Sequence, residues 1–233
     1  MQTLSTFTYK DLSKFRLFIF DLDGTLYDLE KLRRRMILNL MLRLLLFSIH
    51  TIDLKIISSF RQQRENHKGY TSPSLESDQY QWCAKELNIP VEKVQPRIQE
   101  YMHEFPLKFL LKARYPNIDK VFDIIKEQNN SLAIYSDYHA KEKLNALKLK
   151  ADGLFCSTDK EIQQLKPSGK AIDVICNTMK ISKGETLLIG DRDDTDGESA
   201  KQAGISFLKV DVRQARTGQF YTNLLQMINT NNG

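Results

Sequence analysis

Short apolar runs alternate with helix-like segments along most of the chain, and this alternation constrains the fold more than any other feature. The runs are bounded by turn-forming residues and occupy residues 16–20, 131–135, 153–156, 186–189 and 205–210. Each later run follows a helix-like segment, which is the pattern of parallel strands joined by crossover helices. Most runs carry apolar residues at consecutive positions, as strands do when helices cover both faces of a sheet. The sequence therefore predicts a three-layer α/β sandwich.

A long stretch without strand-like runs interrupts this alternation between residues 29 and 115. Its pattern is helical, and prolines and polar segments break it into several pieces. A chain of 233 residues suits one domain that carries an insertion of about 80–100 residues. We therefore predict an α/β unit formed by residues 1–28 and 116–233, with a separate helical unit, residues 29–115, inserted into it.

Acidic and polar residues directly follow several of the predicted strands. Asp21 and Asp23 come after the first run, Ser136 and Asp137 after the second, and Asp191 after the fourth. Because ligands of open parallel sheets bind outside the carboxyl ends of the strands, these side chains should converge on one site. Clustered carboxylates repel each other unless a cation holds them, and hard oxygen ligands suit Mg²⁺. The sequence predicts a magnesium site at this edge of the sheet.

Such a site supports phosphoryl transfer. A carboxylate can accept a phosphoryl group to give an acyl phosphate while a metal ion neutralises the phosphate. One of the first two aspartates could attack phosphorus, and the other could pass a proton to the leaving oxygen. Lys166, between the third and fourth runs, could balance the charge of nucleophile and phosphate, and the Ser136 hydroxyl could donate a hydrogen bond to the phosphate.

Four motifs, in order along the chain, resemble those of the haloacid dehalogenase-like hydrolases. They are DLDGT at residues 21–25, the serine of IYSDY at 134–138, Lys166 with Pro167, and GDRDDTD at 190–196. The resemblance implies a Rossmann-like parallel sheet core and a helical cap domain inserted after the first motif. The helical unit predicted above lies at that position.

The resemblance also implies roles for the motif residues. Asp21 would be the nucleophile, and Asp23 would be the general acid and base, with its backbone carbonyl on Mg²⁺. Ser136 and Lys166 would be the phosphate and charge partners, and Asp191 a direct metal ligand.

Three further residues lie in or near these motifs. Thr25 and Asp137 are candidates for contact with the substrate phosphate, and the Thr25 hydroxyl could equally tie down the turn. Asp28 lies where the chain leaves for the helical unit, and we expect it to be a solvated linker charge rather than a substrate contact.

The fourth motif departs from the family pattern. Arg192 stands where the family carries a serine, and the loop holds three further aspartates. In the longer variant of the motif the second acid lies five positions after the first, which makes Asp196 the predicted metal ligand and Asp194 its rival. The spacing of Thr195 and Glu198 also predicts a capping box, with a helix starting there and ending at Gly204.

Residues 33–57 begin with three consecutive arginines and continue as a mostly apolar segment. Such a helix could lie on an anionic membrane. Polar and charged residues interrupt the segment, so it lacks the roughly 18 apolar residues in succession that a spanning helix needs. Because an inserted helical unit also requires a core of its own, we expect the apolar positions of residues 36–57 to pack inward and membrane association to be the less favoured alternative.

Charge and cysteine content narrow the class of protein only slightly. The chain has 34 Lys and Arg against 29 Asp and Glu, a formal charge of +5 that fits anionic small molecules, nucleic acid or acidic lipid about equally. Its three cysteines show no CxxC or Cys/His ligand spacing, which is typical of reduced thiols in a cytoplasmic protein. The polar N-terminal residues lack the apolar core of a signal peptide, which also favours the cytoplasm.

From these features we expect a Mg²⁺-dependent phosphatase that hydrolyses a small phosphomonoester through an aspartyl-phosphate and has no nucleic-acid partner. A phosphomutase with the same nucleophile is one alternative. A catalytically weak protein of the same fold that binds a phosphate ligand or a membrane surface is another, since the fourth motif is altered. Dehalogenation is disfavoured because displacement of a halide needs no proton donor, and Asp23 supplies one.

Overall fold

The computed structural model describes residues 12–45 and 50–229 of the chain. The polar N-terminal stretch before residue 12, residues 46–49 of the apolar segment and the side chains of residues 43–45 lie outside the described parts. Within the described parts, five parallel strands form one sheet. The predicted α/β fold class is confirmed.

The strands coincide with the five predicted apolar runs. They are β1 (Leu17–Phe20), β2 (Ser131–Ser136), β3 (Gly153–Cys156), β4 (Thr186–Gly190) and β5 (Ser206–Lys209). Their order in the sheet is β3-β2-β1-β4-β5, and every neighbouring pair is parallel. Since β1 is the central strand, the residues that follow it lie in the middle of the carboxyl edge.

Helices account for most of the remaining described residues. They are α1 (Leu29–Leu45), α2 (Thr51–Asn66), α3 (Leu75–Leu87), α4 (Val91–Ile98), α5 (Leu107–Ala113), α6 (Ile118–Glu127), α7 (Lys141–Leu147), α8 (Gly169–Met179), α9 (Glu198–Ala203), α10 (Val212–Thr217) and α11 (Gln219–Asn229).

Successive residues of the central strand pack into different core layers, as the alternation of side chains along a strand requires. Phe18 and Phe20 belong to one buried cluster, together with apolar residues of α6 and α11. Leu17 and Ile19 belong to a second cluster, which residues of α8 and α9 complete. The sheet is therefore covered by helices on both faces, which is the predicted three-layer arrangement.

The helical segment between β1 and β2 leaves and rejoins the sheet at one place. The backbone N–H of Asp28 donates to the carbonyl of Ala113 (2.9 Å), and that of Tyr115 donates to the carbonyl of Leu26 (3.1 Å). A third buried cluster, built mainly from α2, α3, α4 and the turn that follows α4, gives this segment a core of its own. The predicted boundaries at residues 28/29 and 115/116 fall on this pair of bonds, while the division into two domains stays a prediction.

The apolar positions of residues 36–57 pack inward only in part. Met36 and Ile56 are buried, but Ile37, Leu38, Met41 and Leu42 are exposed by 50, 68, 59 and 56%. The expectation of inward packing is wrong for these four residues, because α1 packs against the rest of the molecule through its opposite face. No helix in the described parts of the chain is both long and apolar enough to cross a membrane.

Candidate active site

Three carboxylates meet at the carboxyl edge of the sheet. Asp21 follows β1, Asp191 follows β4, and Asp196 lies in the π-helical turn Asp193–Gly197. One oxygen from each of the three lies within 4.8 Å of the others. The structure thus brings together the three residues predicted to bind a metal through their carboxylates. The fourth predicted ligand, Asp23, would use its backbone carbonyl, and that role stays a prediction.

Two glycines make this close approach possible. Gly24 has φ +101°, and a Cβ added there would lie 2.5 Å from Oδ2 of Asp191. A Cβ added at Gly190 would clash with the carboxylate of Asp196. The turn after β1 and the end of β4 therefore have the space that the acidic cluster occupies.

Lys166 connects two of the clustered carboxylates. Its buried ammonium group donates to Oδ1 of Asp21 (2.7 Å) and to Oδ1 of Asp196 (2.8 Å). Burial favours the neutral amine, but the two carboxylates outweigh it and raise the pKa of Lys166 well above its usual value. Lys166 is therefore a fixed positive charge beside the predicted nucleophile.

A single lysine does not neutralise three clustered carboxylates. Burial, followed by the charges of Asp196 and Asp191, raises the pKa of Asp21 well above the ordinary range although Lys166 acts in the opposite direction. Burial and the charge of Asp196 raise the pKa of Asp191 to about 6. Carboxylate oxygens are the ligands that Mg²⁺ takes, and a cation here would relieve the repulsion. The three residues fit a divalent metal ion.

Asp23 lies apart from this cluster and has its own partners. Lys143 of α7 donates to both of its carboxylate oxygens at 2.7 Å, and the hydroxyl of Tyr27 donates to Oδ1. Burial would raise the pKa of Asp23, but Lys143 and Tyr27 together lower it. Asp23 is therefore ionised at neutral pH before a substrate binds.

The sequence analysis missed Lys143 and this role of Tyr27. Lys143 lies seven positions after Ser136, in the helix that follows a strand bearing predicted site residues. A basic residue in the helix that follows this strand was the only local indication that a positive charge lies near the site. Whether its side chain reaches Asp23 depends on how α7 packs on the sheet, which no local pattern contains.

Ser136 and Thr25 are both buried beside the acidic cluster. The Ser136 hydroxyl accepts a hydrogen bond from the backbone N–H of Tyr138 (3.2 Å), so its proton is free to be donated into the cavity that it lines. The Thr25 hydroxyl donates to Oδ1 of Asp191 at 3.4 Å. Of the two roles considered for Thr25, this contact favours tying down the turn.

The carboxylate of Asp137 contacts other parts of the protein. It accepts hydrogen bonds from the Ser157 hydroxyl and from the backbone N–H of Lys166 (3.1 Å). A carboxylate accepts but does not donate hydrogen bonds when ionised. Asp137 therefore joins the ends of β2 and β3 to the Lys166 loop, and a phosphate contact from this residue would have to come from its backbone.

Asp194, the rival of Asp196, lies at the surface. It pairs with Lys68 (2.6 Å) and with Arg192 (2.8 Å), which lower its pKa. Arg192 also pairs with Glu65 at the end of α2 (2.7 Å). The structure thus places Asp196 in the acidic cluster and uses Asp194 to connect the fourth-motif loop to the helical segment.

The predicted capping box in this loop is wrong. A π-helical turn precedes α9, which begins only at Glu198, and the backbone carbonyl of Thr195 accepts a bond from the Ser199 hydroxyl (2.7 Å). The wider turn is what directs Asp196 back under β4. The predicted end of the helix is confirmed, because Gly204 has φ +72° after the last residue of α9.

Asp28 is not the solvated linker charge that the sequence suggested. It is buried, and its carboxylate pairs with Arg216 of α10 at 2.9 Å. It also accepts a bond from the backbone N–H of Lys31 in the first turn of α1 (3.0 Å). The residue anchors the start of α1 to α10.

A cavity of about 500 Å³ opens over the acidic cluster. Its wall includes Asp21, Asp23, Ser136 and Lys166, together with residues of α1 and α2. Basic side chains in the lining outnumber acidic ones; they are Arg33, Arg61, Arg64, Lys68, Lys143, Lys166 and Arg192. The cavity is therefore suited to an anionic ligand.

A second group of potential metal ligands lies at the ends of β2 and β3. One ligand atom from each of His139, Cys156 and Asp159 lies within 4.8 Å of the others. The sequence spacing had indicated no such Cys/His arrangement. A hydrogen bond to Cys156 raises the pKa of His139 to about 9. The thiols of all three cysteines are buried and free.

The sequence of this chain matches the sequence model of a known protein family. The sequence matches the model of the haloacid dehalogenase-like hydrolases over residues 15–204. No curated protein matches it.

Solved structures with the same fold differ in activity. One is the HAD-hydrolase YfnB from Bacillus subtilis bound to magnesium (18% identity, 84% of this chain and 89% of that chain, TM-score 0.59). Others are a 2-haloacid dehalogenase from Pseudomonas syringae (17%, 84% and 86%, 0.57) and a predicted phosphoglycolate phosphatase from Haemophilus somnus (18%, 85% and 86%, 0.53). At these identities the similarity shows the fold alone.

Proposed function

The chain belongs to the haloacid dehalogenase-like hydrolases, and we propose that it is a Mg²⁺-dependent phosphatase that hydrolyses a small phosphomonoester through an aspartyl-phosphate on Asp21. The main support is the arrangement of the aspartates. Asp21 shares a metal-suited cluster with Asp191 and Asp196, while Asp23 stands beside that cluster with separate partners. This arrangement supports a reaction in which one carboxylate attacks phosphorus and another transfers a proton.

The basic lining of the cavity supports an anionic substrate. Arg33 and Arg61 come from the helical segment between β1 and β2, Lys143 comes from α7, and Lys166 comes from the loop between β3 and α8. A phosphate group between them would meet positive charge from both sides. Mg²⁺, held by Asp21, Asp191 and Asp196, would supply further neutralisation of the phosphate when bound.

The proposed reaction has two steps. In the first, a carboxylate oxygen of Asp21 forms a bond to phosphorus as the ester P–O bond breaks, and Asp23 gives its proton to the leaving oxygen. In the second, Asp23 takes a proton from water, the water oxygen bonds to phosphorus, and the bond to Asp21 breaks with release of inorganic phosphate. Lys166 stabilises the charge on Asp21 before the first step and after the second.

Asp23 must be protonated for the first step, although Lys143 keeps it ionised in the free protein. A phosphate dianion that enters beside Asp23 competes for the Lys143 ammonium group and adds a like charge next to the carboxylate. Both effects favour the protonated carboxyl. Substrate binding would therefore convert Asp23 into the general acid.

Dehalogenation, the activity named for three of the similar solved structures, fits these residues less well. Displacement of a halide needs no general acid, yet the chain holds Asp23 with two dedicated partners. The reading as a catalytically weak binding protein also loses its main support, because Arg192 removes no carboxylate from the acidic cluster.

The proposal is tested by a screen of soluble phosphomonoesters with release of inorganic phosphate as the readout. Wild-type protein should release phosphate with Mg²⁺ and lose this activity in EDTA. Asp21→Asn should be inactive with an unchanged circular dichroism spectrum, since the amide keeps the shape but not the nucleophile. Equal activity of Asp21→Asn and wild type, or full turnover without metal, would contradict the proposal. Transfer of the phosphoryl group to a second hydroxyl without phosphate release would identify a mutase.

A further inference from the structure

Helix α1 presents two different faces. Leu29, Leu32 and Met36 line the cavity above the acidic cluster, and Leu32 and Met36 are almost completely buried. The outward face carries the four exposed apolar side chains Ile37, Leu38, Met41 and Leu42. Their spacing of one, three and four residues places them side by side on the helix surface. The same helix thus joins an apolar outer surface to the wall of the candidate active site.

Basic residues precede the apolar patch on the same helix. Residues 29–42 contain four basic residues and one acidic residue, so this part of the helix is positively charged. Arg34 lies one turn before Leu38 and is exposed, with Glu30 as its partner. Lys31 and Arg35 lie on the same side of the helix. A helix that carries arginines and lysines beside exposed leucine, isoleucine and methionine has the composition of one that lies in the surface of an anionic bilayer.

A second copy of the chain is the other occupant to consider. A two-fold interface brings the same patch of both copies together, so the arginines of α1 would face the arginines of the partner copy. Stable protein interfaces also use about 20–30 residues on each side, whereas the patch has four exposed apolar residues. An anionic lipid surface complements the charge and requires no larger area. The charge of the helix therefore favours the bilayer.

We propose that the outward face of α1 docks on anionic lipid bilayers and that the substrates are phosphomonoesters carried in that surface. Ile37, Leu38, Met41 and Leu42 would enter the acyl boundary, while Lys31, Arg34 and Arg35 would contact anionic headgroups. Docking would hold the cavity lined by Leu29, Leu32 and Met36 next to the membrane. The proposal that α1 docks on a bilayer depends only on the exposed apolar residues and the positive charge of this helix. The proposal about the substrates also rests on the proposed phosphatase function.

The first test is co-sedimentation of the full chain with phosphatidylcholine vesicles that contain about 30% phosphatidylglycerol. Wild-type protein should bind these vesicles and be released by salt, and it should not bind pure phosphatidylcholine. Leu38→Glu combined with Leu42→Glu should reduce binding at least about tenfold, since each leucine loses its apolar contribution. Arg34→Gln should reduce it about fivefold, as expected for one basic residue at an anionic surface.

A control variant separates the α1 patch from exposed apolar residues in general. Leu111 of α5 is also exposed, by 42%, and Leu111→Glu should bind vesicles as wild type does. Because all three leucines are exposed, the variants should keep the circular dichroism spectrum and thermal transition of wild type. Absence of wild-type binding, or equal binding by the Leu38/Leu42 variant, would overturn the docking proposal. A wild-type dimer that Leu38→Glu converts to monomer would show instead that the patch joins two copies.

The second test measures hydrolysis of phosphatidic acid in the same vesicles and of p-nitrophenyl phosphate in solution. The Leu38/Leu42 variant should lose vesicle hydrolysis by the same factor as binding and keep hydrolysis of the soluble ester. Vesicle binding together with hydrolysis of the soluble ester but not of phosphatidic acid would overturn the substrate part. Vesicle binding without hydrolysis of either ester would overturn the proposed phosphatase function and leave the docking surface standing.

Discussion

Replacing Gly24 by alanine should weaken metal binding by a mechanism that the structure makes explicit. The new Cβ would lie 2.5 Å from Oδ2 of Asp191, whereas ordinary contact begins at 3.4 Å, so the oxygen must retreat by about 0.9 Å. Metal–ligand distances tolerate only about 0.2 Å. We therefore expect Gly24→Ala to lower Mg²⁺ affinity about 10- to 100-fold, which is the loss typical when the residues that orient a metal ligand are changed.

The same substitution has a separate effect on stability. Gly24 has φ +101°, a conformation that costs an L-residue about 1–2 kcal/mol. Gly204 provides the matched control, because it has φ +72° and no atom lies within 4 Å of its added Cβ. In both variants the free energy of unfolding, measured by urea titration in EDTA, should be lower than that of wild type by about 1–2 kcal/mol. Only Gly24→Ala should lose metal affinity.

The assay is calorimetric titration of Mg²⁺ into each folded variant, supported by the Mg²⁺ dependence of phosphate release. Equal Mg²⁺ affinity in Gly24→Ala and wild type would refute the reasoning, because Asp191 would then not be held at its metal-binding position by the space above Gly24. Equal loss of affinity in both glycine variants would refute it too, since backbone strain alone would then explain the result.

Three further predictions follow from the site. Asp23→Asn should slow the first step, measured as leaving-group release in a single turnover, far more for alkyl phosphates than for p-nitrophenyl phosphate, whose leaving group needs no proton; equal losses in this step would argue against Asp23 as the general acid. Asp196→Asn should lower Mg²⁺ affinity in calorimetry while Asp194→Asn leaves it unchanged, and the reverse order would make Asp194 the metal ligand. Lys143→Met should destabilise the protein at pH 7. Because the folded pKa of Asp23 is lowered, its contribution to the free energy of unfolding is present above the ordinary Asp pKa of about 3.9 and is lost as pH falls from that value toward the lowered folded pKa. The difference between variant and wild type in urea unfolding should therefore be complete at about pH 5 and shrink at about pH 3.

The sheet could be predicted from sequence because its information is local. Short apolar runs such as residues 16–20 and 186–189 are typical of strands buried on both faces of a sheet. The strands in the structure begin and end within one residue of these predicted runs. The acidic cluster followed from the same reasoning, since parallel strands deliver the residues after them to one edge. Asp21 and Asp191 needed no tertiary information beyond that rule.

Other features depended on packing that local patterns do not contain. Leu38 and Met36 are both apolar residues of one helix, and the sequence gives no sign that one faces solvent and the other the cavity. The salt bridge between Lys143 and Asp23 joins residues 120 positions apart. The capping box failed for a different reason: Thr195 and Glu198 have the right spacing, but the carboxylate of Asp196 must turn back toward Lys166, and a π-helical turn makes that possible.

Arg192 is the clearest departure from the family pattern, and the structure shows why it leaves the acidic cluster intact. Its backbone N–H donates to Oδ2 of Asp196 at 3.2 Å, and any residue except proline supplies that donor. Its guanidinium group points the other way and pairs with Glu65 and Asp194. These pairs are exposed and contribute little to stability individually. They nevertheless join the loop that holds Asp196 to the end of α2. The substitution therefore links the helical segment to the catalytic loop without removing a ligand.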